Sequence, residues 1–128
     1  MVIPDRKRIL LVEDHEDAWD IVAFNLEGHA LFYARDFDEG LRLARQQDFD
    51  LYILDNWLPG QSGVELCRAI RKFDPDTPIL FCSAAAYARD IREAMRAGAQ
   101  AYLTKPVLPD ELKHMVAQLI AVPRETSS

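Results

Sequence analysis

Five polar residues each follow a short apolar run, and together their types suit phosphoryl chemistry. Glu13 and Asp14 follow Ile9-Leu10-Leu11-Val12, Asp55 follows Leu51-Tyr52-Ile53-Leu54, Ser83 follows Ile79-Leu80-Phe81-Cys82, and Lys105 closes Ala101-Tyr102-Leu103-Thr104. Singly, each has a plainer explanation. An acid or serine after a strand is commonly a helix N-cap, and a loop lysine is commonly solvated. Jointly, three carboxylates, a hydroxyl and a lysine at equivalent points of the chain are not accidental. The carboxylates repel one another, and a hard divalent cation offsets that repulsion. Oxygen-only donors suit Mg²⁺ better than Zn²⁺. Cys67 and Cys82 lie inside apolar stretches, and His15, His29 and His114 are scattered over different segments, so none is expected to hold a metal. A cation and an ammonium can hold equatorial phosphoryl oxygens while a carboxylate attacks in line.

The apolar runs, with Leu31-Phe32-Tyr33-Ala34, recur every twenty to thirty residues or so. Unbroken runs of this length read as strands buried on both faces, the habit of parallel sheets. Helical spacing fills the gaps. Leu112, Met115, Val116, Leu119 and Ile120 mark one amphipathic helix, and Asp36 with Glu39 opens another that turns Phe37, Leu41 and Ala44 inward. Gly28 and Gly98 stand where two helices should stop. A (βα)₅ order implies right-handed crossovers and a parallel sheet covered on both sides. Five strands are too few for a barrel, so an open doubly wound sheet is expected. In such sheets ligands bind outside the carboxyl ends of the strands, the edge to which all five polar residues are delivered.

The chain has 128 residues, 49% of them hydrophobic and 28% charged, which bounds it to one globular domain. Fifteen basic against 21 acidic residues give a formal charge of −6, which disfavours direct nucleic acid binding or attachment to an anionic membrane. No apolar run is long enough to cross a bilayer. Residues 1–8 lack the apolar segment of a secretory signal. Two core thiols fit a reduced, cytoplasmic protein. Residues 8–121 are expected to form the domain, with short tails at 1–7 and 122–128, the latter polar and frayed.

Glu13-Asp14, Asp55 with Leu58-Pro59-Gly60, Ser83-Ala84, and Tyr102-Leu103-Thr104-Lys105-Pro106 together resemble the receiver domain of bacterial two-component response regulators. The resemblance spans about Arg8 to Ala121, with every motif in order. It implies a flavodoxin-like sheet of order 2-1-3-4-5. It implies a phospho-acceptor signalling module that takes a phosphoryl group from the phosphohistidine of a sensor histidine kinase or a histidine phosphotransfer protein. Asp55 is then the acceptor. Asp14, Asp55 and the Trp57 backbone carbonyl hold Mg²⁺, with Glu13 acting through water. Lys105 pairs with Asp55 and then with the phosphoryl group. Ser83 binds a phosphoryl oxygen and draws its loop inward, and Tyr102 is the aromatic switch that follows it. The output partner is a downstream protein or domain outside these residues.

Some positions depart from the family pattern. Asn56 stands where a hydrophobic residue is usual. Trp57 and Ala85 occupy the two positions that tune hydrolysis, and neither orients water as an amide or acid does. Gln100-Ala101 replaces acidic residues that support a common dimer. The first helix is apolar nearly all round, with Trp19, Ile21, Val22 and Phe24, and its excess could form a docking patch. Two enzyme or cofactor alternatives share the topology. A haloacid-dehalogenase-type phosphatase needs a second aspartate where Trp57 stands. A flavodoxin needs a Ser/Thr/Gly-rich phosphate loop where Glu13-Asp14-His15-Glu16-Asp17 stands. The module is therefore read as a regulatory phosphoprotein rather than an enzyme.

Overall fold

The computed structural model of the chain describes residues 6–121; the terminal tails, apart from residues 6 and 7, lie outside them. Five strands and five helices alternate: β1 (Arg8–Val12), α1 (Glu16–Asn25), β2 (Ala30–Ala34), α2 (Phe37–Gln46), β3 (Leu51–Leu54), α3 (Gly63–Arg71), β4 (Ile79–Ser83), α4 (Ala88–Ala97), β5 (Ala101–Thr104) and α5 (Pro109–Ala121). The sheet is parallel with order β2-β1-β3-β4-β5. The expected open doubly wound topology is thus the observed one. Because β1 and β3 are central neighbours, with Val12 opposite Leu54, their following residues Glu13 and Asp55 emerge side by side.

Two apolar layers sandwich the sheet. Val22, Leu26, Leu112, Val116 and Leu119 bring α1 and α5 against Ile9, Leu11 and Ile53 on one face. Ala44, Val64, Leu66, Ile70 and Ala94 bring α2, α3 and α4 against Leu10, Leu54 and Phe81 on the other. The strands β1, β3 and β4 are buried as their unbroken apolar runs require. Strand β2 differs: only Ala34 is fully buried. It forms one edge of the sheet, so one long side has no neighbouring strand to cover it. Asp36 caps α2 by accepting from the Glu39 backbone N–H at 2.9 Å. Gly98 ends α4 in the left-handed region at φ 119°, where a side chain would also strike Arg71. Helix α1 leaves Ile21 and Phe24 exposed, as its all-round apolar character suggests. Helix α4 buries only Ala94 fully, which makes it the most lightly anchored helix of its layer.

Candidate functional site

The site lies where β1, β3, β4 and β5 end. Asp55, buried at the end of the central strand, accepts hydrogen bonds at both carboxylate oxygens. Ser83 Oγ donates to Oδ1 at 2.8 Å and the Trp57 backbone N–H donates to the same oxygen at 3.1 Å. Lys105 Nζ lies 3.1 Å from Oδ2. Glycine at the start of α3 fixes the backbone beneath: a Cβ on Gly63 would sit 2.2 Å from the Asp55 carbonyl oxygen. The Gly63 N–H instead donates to the Asn56 carbonyl at 2.9 Å. No bulkier residue could bring α3 this close to the strand end.

Lys105 also binds Glu13 Oε1, so one ammonium bridges the ends of β1 and β3. Burial pushes the Glu13 carboxyl above the usual carboxylate range, the Lys105 hydrogen bond pulls it back, and the Asp55 charge adds to the push. Burial works against the Lys105 charge as well, but the Glu13 hydrogen bond and the two carboxylates outweigh it and hold its pKa high. The lysine therefore stays charged at neutral pH. Its preceding position is fixed by Lys105 N–H donating to the Ser83 carbonyl at 3.0 Å, and the Lys105–Pro106 peptide is cis.

Asp14 Oδ1 is shut off from solvent and accepts no well-aligned hydrogen bond, although the ring nitrogen of the exposed His15 lies 3.1 Å away. A buried carboxylate oxygen without a well-aligned donor carries a desolvation cost that a cation would offset. The acidic pocket therefore fits a hard divalent ion. His15 adds to it unexpectedly. Its Nδ1 lies 3.1 Å from Asp14 Oδ1 and 3.3 Å from Glu13 Oε2, and these three residues form a group whose ligand atoms lie within 4.8 Å. The hydrogen bond that the His15 ring makes to the Glu13 carboxylate, and the Asp14 charge, raise the His15 pKa. Sequence spacing set the histidines aside because they belong to different segments. His15, adjacent to the acidic pair, was the one with a positional signal.

Ser83 and Tyr102 meet at the loop between β4 and α4. Ser83 Oγ is on Asp55 and also accepts from the Ala85 N–H at 3.2 Å. The Tyr102 ring lies parallel to Phe81, centroids 5.5 Å apart. Its hydroxyl donates to the Ala85 carbonyl. Tyr102 is thus half-buried over the β4–α4 loop. Ala85 is covered beneath it, whereas Trp57 stands 62% exposed at the mouth of the site. Trp19, read from sequence as helix apolar surface, donates its indole N–H to the Glu13 carbonyl at 2.7 Å and so anchors the acidic loop.

A groove of about 580 Å³ runs from Asp55 and Lys105 between α1 and α5, floored by Leu11 and Cys82 and walled by Ile21, Val107 and Leu112. Burial pushes the Cys82 thiol up to about 12, so it is inert at neutral pH.

A doubly wound sheet carrying an acid pair, a central aspartate, a hydroxyl and a lysine at one edge defines the class of small α/β signalling domains. The chain belongs to the response regulator receiver domain family, whose model matches residues 9–117. It is 41% identical over 115 residues to the uncharacterized transcriptional regulatory protein YrkP of Bacillus subtilis, covering 88% of this chain and 49% of that one. It is 37% identical to part of the sensor histidine kinase AruS of Pseudomonas aeruginosa, covering 87% of this chain and 12% of that one. The chain thus spans about half, or less, of these relatives. Among solved structures, the non-phosphorylated HemR receiver domain from Leptospira biflexa superposes with a TM-score of 0.88 at 32% identity, covering 94% of this chain and 99% of that one. Residues 9–117 are thus a receiver domain, a signalling domain of a kind that accepts phosphate from histidine kinases. The phosphatase and flavin alternatives find no support in these matches.

Proposed function

We propose that Asp55 is the phospho-acceptor and that residues 8–121 work as one Mg²⁺-dependent switch. The observation that carries this is the Lys105 ammonium bridging Asp55 and Glu13 beside the solvent-excluded Oδ1 of Asp14. An Asp55 oxygen attacks phosphorus, the P–N bond of a phosphohistidine breaks, and the imidazole leaves with its electron pair. Lys105 then exchanges its Asp55 contact for a phosphoryl oxygen. The Ser83 hydroxyl turns its hydrogen from Asp55 to a second one. Asp14, Asp55 and the Trp57 carbonyl would hold Mg²⁺, with Glu13 outside them through water. The ion supplies charge neutralisation of the phosphoryl oxygens. The protein assists its own phosphorylation and dephosphorylation but turns over no separate substrate.

The donor is a histidine kinase or histidine phosphotransfer protein. The exposed Ile21 and Phe24 of α1 and the groove leading to Asp55 support docking of an amphipathic donor helix on that side. The output is a protein target or appended domain, and the chain itself is proposed not to contact nucleic acid. We assign it to the cytoplasm, where phosphohistidine donors and reduced thiols coexist; Cys67 and Cys82 are both free and buried. No described helix is long and apolar enough to cross a membrane.

The metal assignment is tested by titrating Mg²⁺ while following tryptophan emission. A saturable change is expected in the wild type, absent from Asp14→Asn and greatly reduced in Trp57→Phe. A full response without Asp14 overturns the assignment.

Trp57 should also lengthen the life of the aspartyl phosphate. The exposed indole at the mouth covers the approach of an in-line water and cannot orient one, while Ala85 is shielded by Tyr102 and reaches no water. Trp57→Asn is expected to speed phosphate loss by roughly tenfold, equivalent to about 1.4 kcal/mol of barrier. A decay time course after removal of the phosphodonor checks this. Equal half-lives in the two proteins would remove Trp57 from the control of hydrolysis.

A further inference from the structure

We infer that Trp19 is a positioning residue for the acidic pocket, whose indole N–H sets the peptide joining Glu13 to Asp14 and thereby the affinity for Mg²⁺. The role rests on the reading of Asp14 as an ion ligand. The indole Nε1–H donates to the Glu13 carbonyl at 2.7 Å. That oxygen belongs to the peptide unit between the two acids. A peptide unit is planar, so fixing its carbonyl sets ψ of Glu13 and φ of Asp14 together. The Glu13 N–H still belongs to the sheet, donating to the Ala34 carbonyl at 2.9 Å. Helix α1 starts only at Glu16. The Glu13–Asp14 peptide therefore stands in the turn between strand and helix, and the indole is what ties it down.

The indole is itself gripped from the edge strand. Its ring lies against the Tyr33 ring, with centroids 5.2 Å apart and planes 34° apart. The Arg35 guanidinium covers it at 5.0 Å from the ring centroid. Tyr33 and Arg35 flank Ala34, the one fully buried residue of β2, and both reach α1. Arg35 Nη2 also meets Glu16 Oε1 at 2.7 Å, in the first turn of that helix. An exposed pair of this kind contributes little by itself. The directional contact to the acid pair is the indole donor. Without it the carbonyl is free to tilt, while Glu13 and Asp14 keep their charges. A change in metal affinity then comes from geometry and not from altered Coulomb attraction. One lost hydrogen bond corresponds to about five- to tenfold in an equilibrium constant. The effect is reciprocal: a bond that favours the bound ion is favoured by that ion to the same factor.

Nitrogen-15 NMR of the full chain, titrated with MgCl₂, reads both sides of this linkage. Trp19→Phe keeps an aromatic ring against Tyr33 and deletes the donor. Its Mg²⁺ dissociation constant is expected to rise about five- to tenfold above that of the wild type. Trp19 and Trp57 are the chain's two tryptophans, so the indole signal that persists in Trp57→Phe is that of Trp19. In the wild type this N–H should exchange with water about five- to tenfold more slowly at saturating Mg²⁺. Packing alone would not couple indole exchange to the ion. Equal dissociation constants in wild type and Trp19→Phe overturn the role. So does an indole exchange rate that saturating Mg²⁺ leaves unchanged, a result obtained on the wild type even if Trp19→Phe folds poorly. A wild type that binds no Mg²⁺ refutes the metal reading and this role with it, whereas binding with equal constants refutes the role alone.

Discussion

Substitution of Asp55 by asparagine is expected to abolish phosphorylation outright. With acetyl phosphate or phosphoramidate and Mg²⁺, the wild type should gain a single phosphoryl adduct by intact mass, and Asp55→Asn none. The physical reason is that no other carboxylate occupies the same environment. Glu13 is buried against the Lys105 ammonium, and Asp14 has no hydroxyl or ammonium aimed at it. Only Asp55 has a hydroxyl donor on one oxygen and a lysine on the other, the pair of contacts that a transferred phosphoryl group inherits. An amide is a feeble nucleophile and carries no charge to attract the ion. An undiminished adduct in the variant would move the acceptor elsewhere.

Replacement of Lys105 by methionine is expected to act in two opposite directions. Among the described residues, Lys105 is the one cation bonded to both Glu13 and Asp55. Unit charges about 4 Å apart interact by about 4 kcal/mol at an effective dielectric of about 20. Removing the ammonium therefore deepens the negative potential of the pocket, and Mg²⁺ should bind about tenfold more tightly or better. The phosphoryl oxygens, however, lose a preorganised donor, and loss of one such donor typically costs about 10²–10³ in rate. Adduct formation should slow by that order even at saturating Mg²⁺. Tryptophan emission measures the first effect and timed mass spectra the second. Weaker metal binding, or an unchanged rate, contradicts the role given to this lysine.

Much of this site was legible in the residues before any coordinates. Glu13, Asp14, Asp55, Ser83 and Lys105 each end an apolar run, and a parallel sheet sends every such end to one edge. The helix stop at Gly98 and the cap at Asp36 were equally readable, because they depend on local backbone chemistry, whereas α1 closes at Leu26, two residues before Gly28. His15 was not, since its approach to Asp14 depends on how the first residues of α1 turn away from the strand. Nor was the anchoring of Glu13 by Trp19, because an indole on an apolar helix gives no sign of which carbonyl it will meet.

The partner of the Tyr102 hydroxyl was the least accessible of all. The motif Tyr102-Leu103-Thr104-Lys105 places a half-buried tyrosine on the last strand without saying which group its hydroxyl meets. Its hydroxyl donates to the Ala85 carbonyl, seventeen residues away in the loop after β4. Asn56 read from sequence only as a departure from a hydrophobic position. Its orientation is decided by the Val64 backbone N–H, eight residues further on. What the residue order determined by itself was the sheet, its winding and the set of groups at its carboxyl edge, because periodicity and the handedness of crossovers act over short stretches of chain. What only the tertiary structure decided was which of those groups pair and which way each turns, because a side-chain hydrogen bond in a buried crevice is chosen by neighbours that are distant in sequence and competes against every other partner packed within reach.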